Sequence, residues 1–200
     1  DSNPCGRDVF RGSGMYQQSF WVDRGEGFVA AWHAFDTKGR TNGALSDVVL
    51  GFDNPTDYIK SGTFFGTVVG RNCNRTKEGR FTLNGKTYQM GVNDGKNNLH
   101  SGPDYFKNRL WTVESISANA ITLFLESPDG DQGFPGNATI RVTYTLEENS
   151  TLTVSYDGIC DQDTVFNMTN HSYFNLAGHD QVNSAMDQLL TLPARWFNPD

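Results

Sequence analysis

Alternation of apolar and polar positions is the plainest pattern in this chain. Ile140, Val142, Tyr144 and Leu146 occupy every second position of 138–146, which predicts a strand with one buried and one wet face. Phe81 and Leu83, then Tyr88 and Met90, flank Asn84-Gly85, the pair preferred in two-residue β-hairpin turns, so 80–90 is expected to form one hairpin. Shorter apolar segments at 27–35, 44–52, 63–70, 110–113, 120–126 and 151–156 lie between Gly, Pro, Asn and Asp and read as further strands. Segment 63–70 is punctuated by glycines, which predicts a strand whose backbone is closely approached. No stretch carries a helical period with caps, and the polar loop 93–104 is long enough to suggest binding. Repeated strands joined by turns imply an all-β fold, an antiparallel sandwich or barrel. Residues 1–27 are rich in Gly, Ser and charge; only Phe20-Trp21-Val22 suggests a short, loosely attached strand there.

Composition narrows the classes. Two hundred residues suit one domain, and 36% apolar residues with 21 glycines exclude a disordered chain. No apolar run approaches membrane-spanning length, so a soluble protein without a membrane partner is expected. A net charge of −7 argues against nucleic acid, whose phosphates require clustered Lys and Arg. Cys5, Cys73 and Cys160 lack metal-ligand spacing, and outside the cell an odd count leaves one thiol free or joined to another chain. Asp1 in place of a methionine, with five N-x-S/T sequons, gives secretion as the expected location and the cytoplasm as the alternative. Asn149, in the polar turn 147–150, and Asn137 are the candidate glycan sites; a glycan on Asn170 would obstruct His171.

Candidate chemistry centres on N-H-S-Y-F-N-L-A-G, residues 170–178. In an extended segment His171 shares a face with Tyr173 and Asn175, while Asn170, Ser172 and Phe174 take the other. Chemistry alone leaves a structural histidine as the commoner case. Read the same way, Arg75 is a surface cation and His100 a solvated loop residue. Glu126, Asp129 and Asp131 form a carboxylate cluster, but S-P-D-G-D-Q-G-F-P-G reads as a turn without the closing glutamate of a calcium loop, so no metal is expected. Gly66 and Gly70 are not followed by the Lys-Ser/Thr of a phosphate loop.

Four blocks, in order, change this reading: D-V-V-L-G-F-D (47–53), F-G-T-V-V-G-R-N-C-N-R (65–75), S-P-D-G-D-Q-G-F-P-G-N (127–137) and V-F-N-M-T-N-H-S-Y-F-N-L-A-G (165–178). Together they resemble the aldose 1-epimerase (galactose mutarotase) family over residues 28–198. The resemblance implies a galactose-mutarotase-like twisted antiparallel β-sandwich, a supersandwich, of which 28–200 would be the N-terminal two-thirds and 1–27 a divergent segment. It also implies interconversion of the α and β anomers of a free hexose such as galactose or glucose, by general acid and base, without a cofactor. His171 would be the acid that protonates the ring oxygen; Arg75 and His100 would bind the sugar, with Asn74 shaping the rim. The family's catalytic glutamate and a binding aspartate fall in the C-terminal third, so the base is not assigned here, and a second polypeptide completing the sandwich is expected. Ser101-Gly102-Pro103 stands where the family usually has a Gly-Gly pair after the loop histidine. That change and the absent base leave a catalytically inactive sugar-binding or assembly subunit as the alternative.

Overall fold

A seven-stranded sheet carries the molecule in the computed structural model, which describes residues 11–15, 18–23, 28–36, 39–41, 44–46, 48–52, 55–147, 151–182 and 184–189. In chain order the strands are β1 (Arg11–Met15), β2 (Gln18–Asp23), β3 (Phe28–Asp36), β4 (Gly39–Thr41), β5 (Ala44–Ser46), β6 (Val68–Val69), β7 (Arg75–Thr76), β8 (Arg80–Leu83), β9 (Lys86–Gln89), β10 (Asn98–Leu99), β11 (Leu110–Ile116), β12 (Ala120–Ser127), β13 (Ala138–Leu146), β14 (Leu152–Cys160) and β15 (Thr169–Asn170). The large sheet runs β1-β3-β2-β11-β12-β13-β14, and β4-β5, β6-β15, β7-β10 and β8-β9 form two-stranded ribbons. Its pairings are antiparallel except β1 with β3 and β2 with β11, which are parallel.

The alternation in β13 works as expected. Ala138, Ile140, Val142 and Tyr144 are buried and meet Ile121, Leu123 and Leu125 of β12 with Val48, Val49, Val68, Phe106 and Trp111. Each such aliphatic side chain removed from water contributes about 1.5–3 kcal/mol. The opposite face of β13 is polar: Arg141 pairs with Glu114 at 2.9 Å and Thr143 shares a hydrogen bond with Thr122. β14 continues to Cys160, four residues beyond the expected strand, because the register with β13 is unbroken from Leu146↔Leu152 to Ala138↔Cys160. Asn84 and Gly85 both take positive φ, 51° and 76°, and join β8 to β9 with Phe81 opposite Tyr88.

Four expectations need correction. The segment 18–23 is not loosely attached, since β2 lies between β3 and β11 and pairs with both. β1 was not foreseen, because Arg-Gly-Ser-Gly-Met has no apolar alternation to betray it. The strand expected over 44–52 is two pieces, β5 and a single bridge from Val49 to Phe174. That expected over 63–70 shortens to β6, because Thr67 N–H turns back to the Phe64 carbonyl and Gly66 takes φ 66°. A short helix α1 (Pro55–Lys60) is too brief to show a period. The close approach predicted for this glycine-rich segment is real at Gly70, where a Cβ would lie 2.2 Å from Met168 Sδ. Asn149, Cys5 and residues 190–200 lie outside the described residues; Cys73 and Cys160 carry free thiols.

Arg71, fully buried, ties the layers together. Its guanidinium donates to Ser127 Oγ and carbonyl, Pro128, Pro135 and Gly136 carbonyls and Thr164 Oγ1, at 2.6–3.2 Å. The turn 127–137 is therefore a receptor for a buried cation. Asp131 in the same turn accepts both terminal nitrogens of Arg109 and the Ser127 hydroxyl. Burial alone would raise the Asp131 carboxyl, but those bonds and the charges of Arg109 and Arg71 outweigh it and hold it below the usual carboxylate range.

Candidate active site

Two short ribbons deliver the site. β15 pairs with β6, and His171, the next residue, donates its N–H to the Thr67 carbonyl while its own carbonyl accepts from Gly66. β7 pairs with β10 in the register Leu99↔Arg75, which places His100 immediately beyond Arg75's partner. The imidazoles of His100 and His171 meet at 5.1 Å between ring centres and at 89°.

An aromatic shell surrounds them. Phe64 touches His100 at 5.0 Å, His171 at 5.5 Å and Tyr105 at 5.1 Å. Tyr173 lies 5.0 Å from His171, and Phe65 abuts Tyr173 at 5.3 Å. Alternation thus places His171 and Tyr173 together as predicted. Asn175 departs from the expected face: it is buried, and its amide bonds to the Gln181 carbonyl and the Ala177 N–H, closing the following turn.

Side-chain amides fold the loop 93–104. Asn98, fully buried, donates to the Gly91 and Gly102 carbonyls and accepts from Ser101 N–H. Asn93 accepts from Leu99 N–H and donates to the Leu99 carbonyl and Tyr105 hydroxyl. Ser101 adopts φ 59° and is fully buried. Its hydroxyl accepts Asn72 N–H and donates to Asn72 carbonyl, which clamps the loop to the segment bearing Arg75.

His100 Nδ1 accepts the Asn74 N–H at 3.0 Å, and His100 N–H donates to the Asn74 carbonyl. That bond requires an unprotonated Nδ1, so the neutral ring carries its proton on Nε2. Burial chiefly, then the neighbouring His171 and Arg75, push the His100 pKa below the ordinary histidine value. Arg75 is exposed and pairs with Asp94 at 2.7 Å. Asn74 contributes its backbone at φ 62°, and its side chain is exposed.

The structure therefore brings His171, His100 and Arg75 into one neighbourhood, with Asn74 beneath His100. Phe64, Tyr105 and Lys107 were missed: the sequence shows two adjacent aromatics at 64–65 without saying which meets the histidines. Among the described residues no carboxylate pairs with either imidazole. The three acids of the 126–131 cluster are engaged separately, Glu126 by Thr139, Asp129 by Gly136 N–H and Asp131 by Arg109. Asn137 donates its amide to Asp161 at 2.7 Å, a bond that a glycan on that nitrogen would replace.

A perpendicular imidazole pair with an adjacent guanidinium can exchange protons with, and hold, a polyhydroxylated substrate. The sequence model of the aldose 1-epimerase family matches residues 30–196. The galactose mutarotase of Sus scrofa is 45% identical over 166 residues, covering 83% of this chain and 47% of its own length. The aldose 1-epimerase of Haemophilus influenzae is 38% identical over 172 residues, covering 85% and 49%. A GalM/aldose epimerase homologue from C. elegans superposes with a TM-score of 0.67 at 30% identity, covering 84% of this chain and 53% of that one. The chain spans about half the length of the curated relatives it matches. With the match running through every strand from β6 to β15, the chain belongs to the aldose 1-epimerase family.

Proposed function

We propose that the protein carrying this chain interconverts the α and β anomers of a free hexose through the open-chain aldehyde. His171 acts as the acid that protonates the ring oxygen, while Arg75 and His100 Nε2–H hold hydroxyls and Asn74 shapes the rim. Ring opening needs one proton delivered and one removed, which an imidazole near neutrality serves well. The observation that carries the reading is the imidazole pair at 5.1 Å with Arg75 across the ribbon from Leu99. The relatives named as mutarotases support the reaction class, with galactose or glucose as candidate substrates.

Among the described residues no carboxylate pairs with either imidazole, and this reading assigns no base. Residues 28–200 serve in this reading as the N-terminal part of the sugar-binding sandwich, and 1–27 as a divergent extension. The second polypeptide expected from the sequence finds no support among the relatives, and the reading does not rest on one. No observation favours a binding-only role over catalysis. Secretion, with the cytoplasm as the alternative, stays an expectation from the sequence; no helix among the described residues is long and apolar enough to cross a membrane.

Polarimetry of freshly dissolved α-D-galactose and α-D-glucose tests the reaction. The intact protein is expected to speed the approach to equilibrium, and His171→Ala to cut that acceleration by about 10²–10⁴-fold. A native rate equal to the spontaneous one would overturn the assignment.

A further inference from the structure

Phe64 sits at the centre of the site without being a proton-transfer group. Its edge and face contact both imidazoles and Tyr105, at 5.0–5.5 Å between ring centres. The Lys107 ammonium lies 4.3 Å from the centre of the Phe64 ring. That same nitrogen donates to the Thr63 carbonyl at 2.9 Å and reaches the Gly62 carbonyl at 3.5 Å. Among the described residues Lys107 has no carboxylate partner. A long, flexible cation has been fixed on the segment that carries the ring, and burial pulls its pKa below the ordinary lysine value. A solvated surface lysine would show neither feature.

We propose that Phe64 is a positioning residue for the His100–His171 pair, and that Lys107 is the clamp that holds it. A partly desolvated ammonium over an aromatic face is attracted by the ring quadrupole, and its carbonyl bonds fix the backbone that leads into that ring. The immobilised ring does two things. It sets the perpendicular packing of the imidazoles, and with Tyr105 it keeps water from His100. The neutral form follows, with Nδ1 accepting from Asn74 and Nε2–H left to face a substrate hydroxyl. Around His100 stand His171, Arg75 with its partner Asp94, Tyr105, and Lys107 on the far side of Phe64. If the ring loosens, water enters, His100 gains a proton more readily, and the charged imidazole loses the Asn74 bond. The catalytic meaning of this device rests on the proposed mutarotase reaction; the placement of the rings does not.

Histidine 13Cε1 resonances of the intact protein, followed through a pH titration, read the device directly. Lys107→Met removes the charge and keeps the stem, and Lys107→Arg restores a cation. Phe64→Leu keeps the charge and removes the ring. Both Lys107→Met and Phe64→Leu are expected to shift the His100 and His171 signals and leave exposed His179 in place. The His100 midpoint should rise toward the ordinary value near 6.5. Lys107→Arg should return both signals to their native positions. In polarimetry, Lys107→Met should lower kcat about tenfold with KM little changed, as misplacement of a reacting group does. Should Phe64→Leu fail to fold, the two Lys107 variants decide alone. His100 and His171 signals unchanged in Lys107→Met would overturn the proposal. Shifted signals in a protein that does not speed mutarotation would support the placement and remove the mutarotase reading alone.

Discussion

His100 illustrates how a single residue acquires its chemistry from packing. Its ring is held neutral by burial, by His171 and by Arg75, so the unfolded chain takes up its proton first as pH falls. The corresponding stability is fully present above about pH 6.5 and declines below it toward the lower folded value. Denaturant titrations across that range should show it, and His100→Gln should flatten the slope; an identical slope in the variant would contradict the assignment. Arg75 should behave differently. Its pair with Asp94 is exposed, so Arg75→Met is expected to leave stability within about 1 kcal/mol while weakening kcat/KM for the sugar by tenfold or more, roughly one to two hydrogen bonds to a charged donor. His171, His100 and Arg75 were legible because they sit in distinctive motifs. Phe64 and Lys107 were not, since a row of letters does not reveal which of several aromatics meets an imidazole or which lysine is desolvated.

At the scale of elements, the turn 127–137 and the segment 70–75 form one unit through Arg71. Arg71→Met would strand the buried Ser127, Pro135 and Gly136 carbonyls, a loss of about 3 kcal/mol or more in unfolding free energy. Gly70→Ala should also destabilise, by about 1–3 kcal/mol, because its methyl would drive Met168 and Phe106 from their places. The Asp131 carboxylate, held below its ordinary range, adds stability that is present above about pH 4 and is lost as pH falls through its folded value. Hairpin β8–β9 and strand β13 could be read ahead because turn chemistry and alternation coincide with their pairing. β1, β2's place inside the sheet and the break at 66–67 could not, since they depend on distant backbone partners and on turns that local apolar content does not report.

The whole molecule is a sheet whose inner face is filled before any chemistry is added. β12 and β13 supply most of that filling, and their loops carry the receptor for Arg71, so the ribbons bearing His171 and Arg75 rest on the core. Ile140→Ala, at a fully buried position, should cost about 2–5 kcal/mol in unfolding free energy and leave kcat unchanged at temperatures where the protein stays folded. A proportional fall in kcat would mean that core and site are coupled more tightly than the packing indicates. The all-β class was legible from short strands and turns; the parallel pairings were not, because period-two patterns say nothing of direction.

The most direct test is a crystal structure of the intact protein soaked with D-galactose. The account predicts a pyranose with its ring oxygen within about 3.2 Å of a His171 ring nitrogen and its hydroxyls held by Arg75 and His100. A sugar bound with its ring oxygen turned away from His171, or bound at another surface, would contradict it.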